Sequence, residues 1–390
     1  MNKNFWKYVK LSTVTFVLST IGIIVIGCGS DPVAPPPPTN LETSNQIVYS
    51  KFRDNNGSIA EVFSEGTGFD GRDVDSPDLV FDKTRVNNDD FMMFYEAADA
   101  SGSNTIGLIT ASEEDFSIIG IQRQQVIGLG GGGSGYETGA TDPAVIADSR
   151  VGEVTRKYKI WFEGRNGSAS SIIYATSADG ISWTGFTQCT GLNPSFGSVR
   201  VADPTVVLDG TTYKMWFEAI NSTSGGKDGA GSIGYAESTD GVAWTVKDAS
   251  GNSGSAASAV FSSGLAGQFD AYSVNAPDVL IDTTVAGNSA QRYKMWYEAG
   301  NASVDVQNTI GYATSANGLT WSRATLPVMV PSSDNKVPLP FDSGDLEHPT
   351  AVIIPSIAVN VEGHYLLWYT GDGEAGASPN RIGLAKGYTL

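Results

Sequence analysis

One pattern is written five times along this chain, and that repetition constrains the fold more than any other feature. Each copy opens with a Pro beside an acid or a His and runs into an apolar stretch. The five openings are Ser76-Pro77-Asp78-Leu79-Val80, Thr141-Asp142-Pro143-Ala144-Val145, Ala202-Asp203-Pro204-Thr205-Val206, Ala276-Pro277-Asp278-Val279-Leu280 and Glu347-His348-Pro349-Thr350-Ala351. A second stretch is aromatic-rich and in four copies ends in Glu: Phe94-Tyr95-Glu96, Trp161-Phe162-Glu163, Trp216-Phe217-Glu218, Trp296-Tyr297-Glu298 and Trp368-Tyr369-Thr370. A third reads like Ile106-Gly107-Leu108, Ile172-Ile173-Tyr174, Ile233-Gly234-Tyr235, Ile310-Gly311-Tyr312 and Ile382-Gly383-Leu384.

Three copies continue into a turn that carries a Trp: Asp179-Gly180 before Trp183, Asp240-Gly241 before Trp244, and Asn317-Gly318 before Trp321. Asp-Gly or Asn-Gly supplies the positive φ of a tight hairpin, so these recurring residues are structural. Each copy therefore predicts three clear strands and a weaker fourth, near Phe186 or Val246. A lone four-stranded sheet exposes an apolar face on each side. Packing such sheets face to face around an axis covers both, and explains an aromatic at the same place in every copy. The sequence predicts an all-β, five-bladed β-propeller over residues 46–390, with blades of four antiparallel strands. The last copy stops after its third strand, so the segment Gln46–Phe52 is expected to supply the fourth and close the ring, removing two open edges.

Residues 1–27 read as a secretory signal. Lys3, Lys7 and Lys10 precede an apolar run that ends Val25-Ile26-Gly27, and Cys28 follows. That cysteine after a small residue resembles the bacterial lipoprotein box, in which the thiol receives a diacylglycerol. Residues 28–45, with Pro35-Pro36-Pro37-Pro38, read as a stiff extended tether. The propeller body is then expected outside the cell, held to an outer membrane or cell surface by lipid. A net charge of −18 argues against nucleic acid or anionic lipid as a partner of the body. Cys189 is the other cysteine of two, too few for a disulfide framework, and reads as a packed thiol.

In a propeller the innermost strands line the axis and their starts open into the channel mouth. The acids flanking the repeated Pro are therefore the catalytic candidates: Asp78, Asp142, Asp203, Asp278 and Glu347, with His348 beside the last. Acids crowded in a narrow mouth push one another's pKa upward, so one can stay protonated as a donor while its neighbour stays charged. Glycoside cleavage uses such a pair. The same oxygens could hold Ca²⁺, and an Asp next to Pro also caps a turn. All three readings stand at this point. The four repeated Glu residues (Glu96, Glu163, Glu218, Glu298) are set aside because catalysis needs a unique position. Tyr136, Tyr272 and Phe196, on loops before inner strands, are candidates to stack on sugar faces, with Glu137, Arg200 and His348 as polar partners.

Taken together, the Asp-Pro openings, the aromatic second strands, the Ile-Gly-x-Ala-x-Ser third strands and the Asp-Gly-x-x-Trp turns resemble the five-bladed propellers of glycoside hydrolases. That group includes arabinanases, β-xylosidases, invertase- and levansucrase-like enzymes and mannoside phosphorylases. The resemblance covers about residues 46–390 and implies three carboxylates from successive blades: an Asp base or nucleophile, an orienting Asp and a Glu acid. In chain order the matching positions are Asp78, Asp142 and Asp203, the third departing from Glu; a cyclic shift gives Asp203, Asp278 and Glu347. Phosphorylase relatives use basic residues for phosphate, for which Arg72 and Arg200 are placed. Two functions follow: an extracellular, glycosidase-like enzyme acting on a glycan at the channel mouth, or a non-catalytic surface propeller binding a glycan or protein partner.

Overall fold

Each repeat forms an antiparallel sheet that begins with its Pro-marked strand. The computed structural model describes residues 47–389 except 86–87, 118, 121, 198, 221–230, 301–307, 334–338 and 374–378. The signal, the tether and Cys28 lie outside the described residues. Residues 44–390 form one compact unit. Among the described residues no helix is long and apolar enough to cross a membrane.

The five inner strands are Asp73–Phe81, Gly139–Ala147, Arg200–Asp209, Ser273–Ile281 and Asp345–Ile353. Each pairs with an aromatic second strand: Phe91–Ala98, Tyr158–Asn166, Thr212–Ile220, Tyr293–Gly300 and Tyr365–Asp372. The third strands are Asn104–Ala111, Ala169–Ser177, Gly231–Ser238, Thr309–Ser315 and Arg381–Thr389. Short outer strands follow in the first four units: Gln124–Ile127, Trp183–Gln188, Thr245–Val246 and Ser322–Arg323. In the fifth unit the outer place is taken by Ile47–Lys51, antiparallel to the last strand from Ile47 opposite Thr389 to Lys51 opposite Ala385. The N-terminal closure expected from the sequence is present. Each inner strand packs beside the next, and Asp345–Ile353 packs beside Asp73–Phe81, so the five units form a closed cycle. The fold is an all-β propeller.

The aromatic second strands fill the space between units. Trp161, Trp216, Trp296 and Trp368 are fully buried. Trp161 Nε1 donates to Gly241 O of the next unit's turn at 2.7 Å, and Trp216 Nε1 donates to Gly318 O at 2.8 Å. Trp368 Nε1 reaches Glu114 O across the closing seam at 3.2 Å. Each turn's own Trp stands edge-on to an aromatic of the neighbouring unit: Trp183 against Phe94 at 5.9 Å, Trp244 against Trp161 at 6.2 Å and Trp321 against Trp216 at 6.1 Å. The turn glycines need their positive φ (79° at Gly180, 81° at Gly241, 78° at Gly318) to present these carbonyls.

At the far ends of the inner strands a second inter-unit contact repeats. Asp82 accepts from the Tyr158 hydroxyl at 2.6 Å, Asp148 from Tyr213 at 3.0 Å and Asp209 from Tyr293 at 2.6 Å. Nearby Lys and Arg side chains neutralise each of these acids. This end of the axis opens into an apolar cavity of about 940 Å³ lined by the inner strands.

Candidate functional site: the kinked mouth of the axis

Every inner strand breaks register with its partner at the Pro. The shifts fall between Asp75 and Asp78, Thr141 and Ala144, Ala202 and Thr205, Asn275 and Asp278, and Glu347 and Thr350. The residue before each Pro takes a positive φ although none is Gly: 44° at Ser76, 51° at Asp142, 44° at Asp203, 39° at Ala276 and 44° at His348. Such a conformation costs about 1–3 kcal/mol per residue and is held only where the surroundings impose it. Here five bulges side by side re-aim five side chains, and Ser76, Asp142, Asp203, Ala276 and His348 line a small cavity of about 40 Å³ on the axis.

This geometry corrects the expectation of one ring of five acids. The bulge sends residues on the two sides of the Pro to different levels. Asp142 and Asp203 precede their Pro and face the mouth. Asp78 and Asp278 follow theirs and form the floor shared by the mouth and the far cavity, with Thr205 and Thr350. Asp78 accepts the backbone N–H of Val145 at 2.7 Å, and Asp278 accepts that of Ala351 at 2.7 Å. Thr205 and Thr350 do the same for Val279 and Leu79. The residue after the Pro thus ties each of these units to the next. Glu347 sits two residues before its Pro and groups with Asp75 and His348. Of the two sequence-derived triads, Asp78, Asp142 and Asp203 all line the small cavity, Asp78 at its floor, whereas Glu347 of the other is not among the lining residues.

The mouth is organised around His348. Its Nδ1 lies 3.0 Å from Asp75 Oδ1, and its Nε2 lies 3.9 Å from Asp203 Oδ1. Burial disfavours a charged imidazole, but the Asp75 charge and hydrogen bond, then Asp203 and Asp142, outweigh it and raise the His348 pKa well above its usual value. Asp75 is the mirror case. Burial would raise it, yet His348, the Thr370 hydroxyl and the Ser76 N–H hold it well below the carboxylate range. Asn380 Nδ2 adds a bond to Asp75 at 2.8 Å. Asp142 is pushed upward by burial and then by the Asp203 charge, partly offset by His348 and Arg165. Its oxygens meet the Ser76 and Thr141 hydroxyls, each at 2.9 Å.

Cross-strand register brings in residues that sequence reasoning set aside. Glu96 lies opposite Asp75, Glu163 opposite Thr141 and Glu298 opposite Asn275, so the repeated Glu positions flank the bulges. Glu96 is raised by burial and by the charges of Asp142 and Asp75. Glu163 is raised by burial and then by Asp142, with Arg200 and Arg165 opposing. Of the proposed sugar-facing residues, Tyr136 is buried, edge-on to Phe162 at 5.3 Å, in space left by Gly164. Phe196 stacks on Phe217. Glu137 folds back onto the Gly133 N–H. Tyr272 is half-buried just ahead of its inner strand. Arg72 bonds its neighbour Asp73 at 2.6 Å, and Arg200 lies 3.5 Å from Glu163.

Two sets of groups could hold a cation: Asp142, Asp203 and His348, or Asp75, Glu347 and His348, each with ligand atoms within 4.8 Å of one another. Carboxylates with an imidazole suit a borderline divalent ion better than Ca²⁺, which prefers oxygen alone. Any such ion must displace the proton that the acids hold on His348.

No protein-family model matches this sequence, and no curated protein does either. Solved structures do. A glycosyl hydrolase from Bacteroides ovatus superimposes with a TM-score of 0.60 at 16% identity, covering 86% of this chain and 94% of that one. An N-acetylgalactosamine deacetylase from F. plautii, in complex with blood group B trisaccharide, gives 0.57 at 14% identity, covering 83% and 95%. A structure from the GH130 family of mannoside phosphorylases, which contains glycoside hydrolases that target β-1,2 mannosidic linkages in Candida mannan, gives 0.57 at 14%, covering 86% and 94%. The chain shares the propeller fold of these glycoside hydrolase-like proteins.

Proposed function

We propose that this chain is an extracellular, carbohydrate-active propeller of glycosidase type that takes a glycan at the axial mouth. The observation that carries the reading is the pair Asp142 and Asp203. They come from adjacent units and converge beside His348, and burial and then the Asp203 charge favour the protonated form of Asp142. A protonated and an ionised carboxyl at short range are what cleavage of a glycosidic bond requires. Asp142 would give its proton to the leaving oxygen as the anomeric C–O bond breaks. Asp203 would stabilise the developing positive charge or form the transient bond to the anomeric carbon. Water then adds its hydroxyl to that carbon and its remaining proton restores Asp142. His348, held by Asp75, fixes the Asp203 side of the mouth electrostatically. The propellers it resembles in fold include proteins that bind or act on glycans, which supports the same substrate class.

The test is sugar release by the compact unit 44–390 from a panel of aryl glycosides and polysaccharides. Loss of acid–base catalysis in Asp142→Asn is expected to cost about 10²–10⁴-fold. Saturable binding without release would favour the non-catalytic glycan-binding reading. Neither binding nor release would overturn both. Attachment through Cys28 is part of the proposal, and it would place the mouth outside the cell.

A further inference from the structure

The axis has a second end that the glycan reading does not use. There the inner strands enclose a cavity of about 940 Å³, against about 40 Å³ at the mouth. Small-molecule sites occupy about 300–1,000 Å³. Each unit contributes a large apolar side chain to the wall: Phe81, Ile146, Val207, Leu280 and Ile353. All five are only half-buried, so an apolar body entering here would cover surface that water now touches.

The floor carries the opposite chemistry. Asp78 and Asp278 both line it, and the Asp278 charge acts on Asp78. Each spends Oδ2 on a backbone N–H at 2.7 Å, that of Val145 for Asp78 and that of Ala351 for Asp278. Asp278 Oδ1 has the Thr205 hydroxyl at 3.3 Å. Among the described residues Asp78 Oδ1 has no donor, and no Lys or Arg pairs with either acid. Burial raises both carboxyls, Asp278 to about 7 and Asp78 well above its usual value. Negative charge at the floor is therefore costly until a cation balances it. At the rim, Lys157 is paired with Asp82, and Lys83 is exposed, 5.2 Å over the Phe81 ring. A charge in open water is worth little as a partner. The buried acids are the stronger anchor.

We propose that this cavity is a second binding site, for an amine with an apolar body: the ammonium sits at the floor beside Asp78 and Asp278, and the body covers the five apolar side chains. A bare hard cation would want six or more oxygens and gain nothing from the wall. An anionic amphiphile would have to leave its charge at Lys83 and press its tail onto the carboxyls. The site lies at the other end of the axis from the mouth, so it stands whether or not a glycan binds there.

Calorimetric titration of the unit 44–390 with n-octylammonium, n-octanol and n-octanoate tests this. The wild type should bind octylammonium saturably, about tenfold or more tighter than either of the others, the effect of one hydrogen bond to a charged group. Affinity should rise about fourfold per methylene from butyl- to octylammonium, because each added group is buried on the wall. Asp78→Asn with Asp278→Asn should bring octylammonium down to the level of octanol and leave octanol unchanged. Should that pair fail to fold, Asp278→Asn alone keeps the acceptor for Ala351 and should lose most of the preference. Absence of saturable octylammonium binding would overturn the proposal, as would octanoate binding equally well, which would put the head group at Lys83. A flat chain-length series would also overturn it, since the head alone would then bind, as at the small mouth. So would a preference for the amine that survives in the folded variants. None of these outcomes bears on glycan binding at the mouth, which is read separately by sugar release.

Discussion

Replacing Asp278 with Asn should flatten the dependence of stability on pH. Asp278 is buried on the axis floor, and burial pushes its carboxyl up to about 7, against the bonds it accepts from Ala351 N–H, the Thr205 hydroxyl and Val279 N–H. In the unfolded chain the same group titrates near 4. The folded protein therefore holds this proton more tightly. Stability is greatest below about pH 4, falls as pH rises from about 4 to about 7, and levels off above. A separation of about three pH units corresponds to about 4 kcal/mol across that window. Asn keeps an acceptor for the Ala351 N–H and never ionises, so this contribution disappears. Relief of Asp78, which the Asp278 charge raises further, adds to the flattening. Urea unfolding of wild type and Asp278→Asn at pH 4.5, 6, 7 and 8 measures it. The variant should gain on the wild type steadily with pH, by about 3–4 kcal/mol at the upper end. Two parallel curves would refute the reasoning, because they would mean the floor carboxyl ionises in the folded state as easily as in water.

Other consequences are direct. Trp216→Ala removes a fully buried indole and its bond to Gly318 O between two units, and should cost about 3–5 kcal/mol in a urea midpoint assay. His348→Gln strips Asp75 of its counter-charge. The deficit should be fullest between about pH 4 and 6.5, fade at lower pH as Asp75 protonates, and fade at higher pH as the wild-type His348 approaches its raised pKa. The pair is partly solvent-exposed, so about 2–3 kcal/mol is expected rather than the larger loss of a dry pair. Cys28→Ser should move the expressed protein from the membrane fraction to the soluble fraction, read by fractionation and immunoblot; unchanged membrane association would contradict lipid attachment.

The architecture was legible because it is written in repeats. Aromatics that recur at one strand position must fill one kind of space, and the Asp-Gly turns before Trp183 and Trp244 fixed where the sheets bend. The N-terminal strand was legible from the strand missing after the last copy, and Ile47–Lys51 fills it. The site was only half legible. A Pro beside an acid looks alike in Ser76-Pro77-Asp78 and in Thr141-Asp142-Pro143, yet the bulge places Asp78 on the floor and Asp142 in the mouth. Linear spacing does not reveal a bulge; the cross-strand register does. The same register carries Glu96 and Glu163 to the bulges, where recurrence had argued for a purely structural role. Tyr136 packs inward because the absence of a side chain at Gly164, on the adjoining strand, leaves the space that buries it, and no spacing in the sequence marks that vacancy.

The most direct test of the account is whether the mouth is where sugar sits. Ala276 lines that small cavity and has no polar role there, so Ala276→Trp should plug it without removing any acid. Saturation-transfer NMR with a mixed glycan library is predicted to show contact with the wild-type unit, and loss of that contact in a folded Ala276→Trp. A glycan signal that survives the plug unchanged would contradict the account.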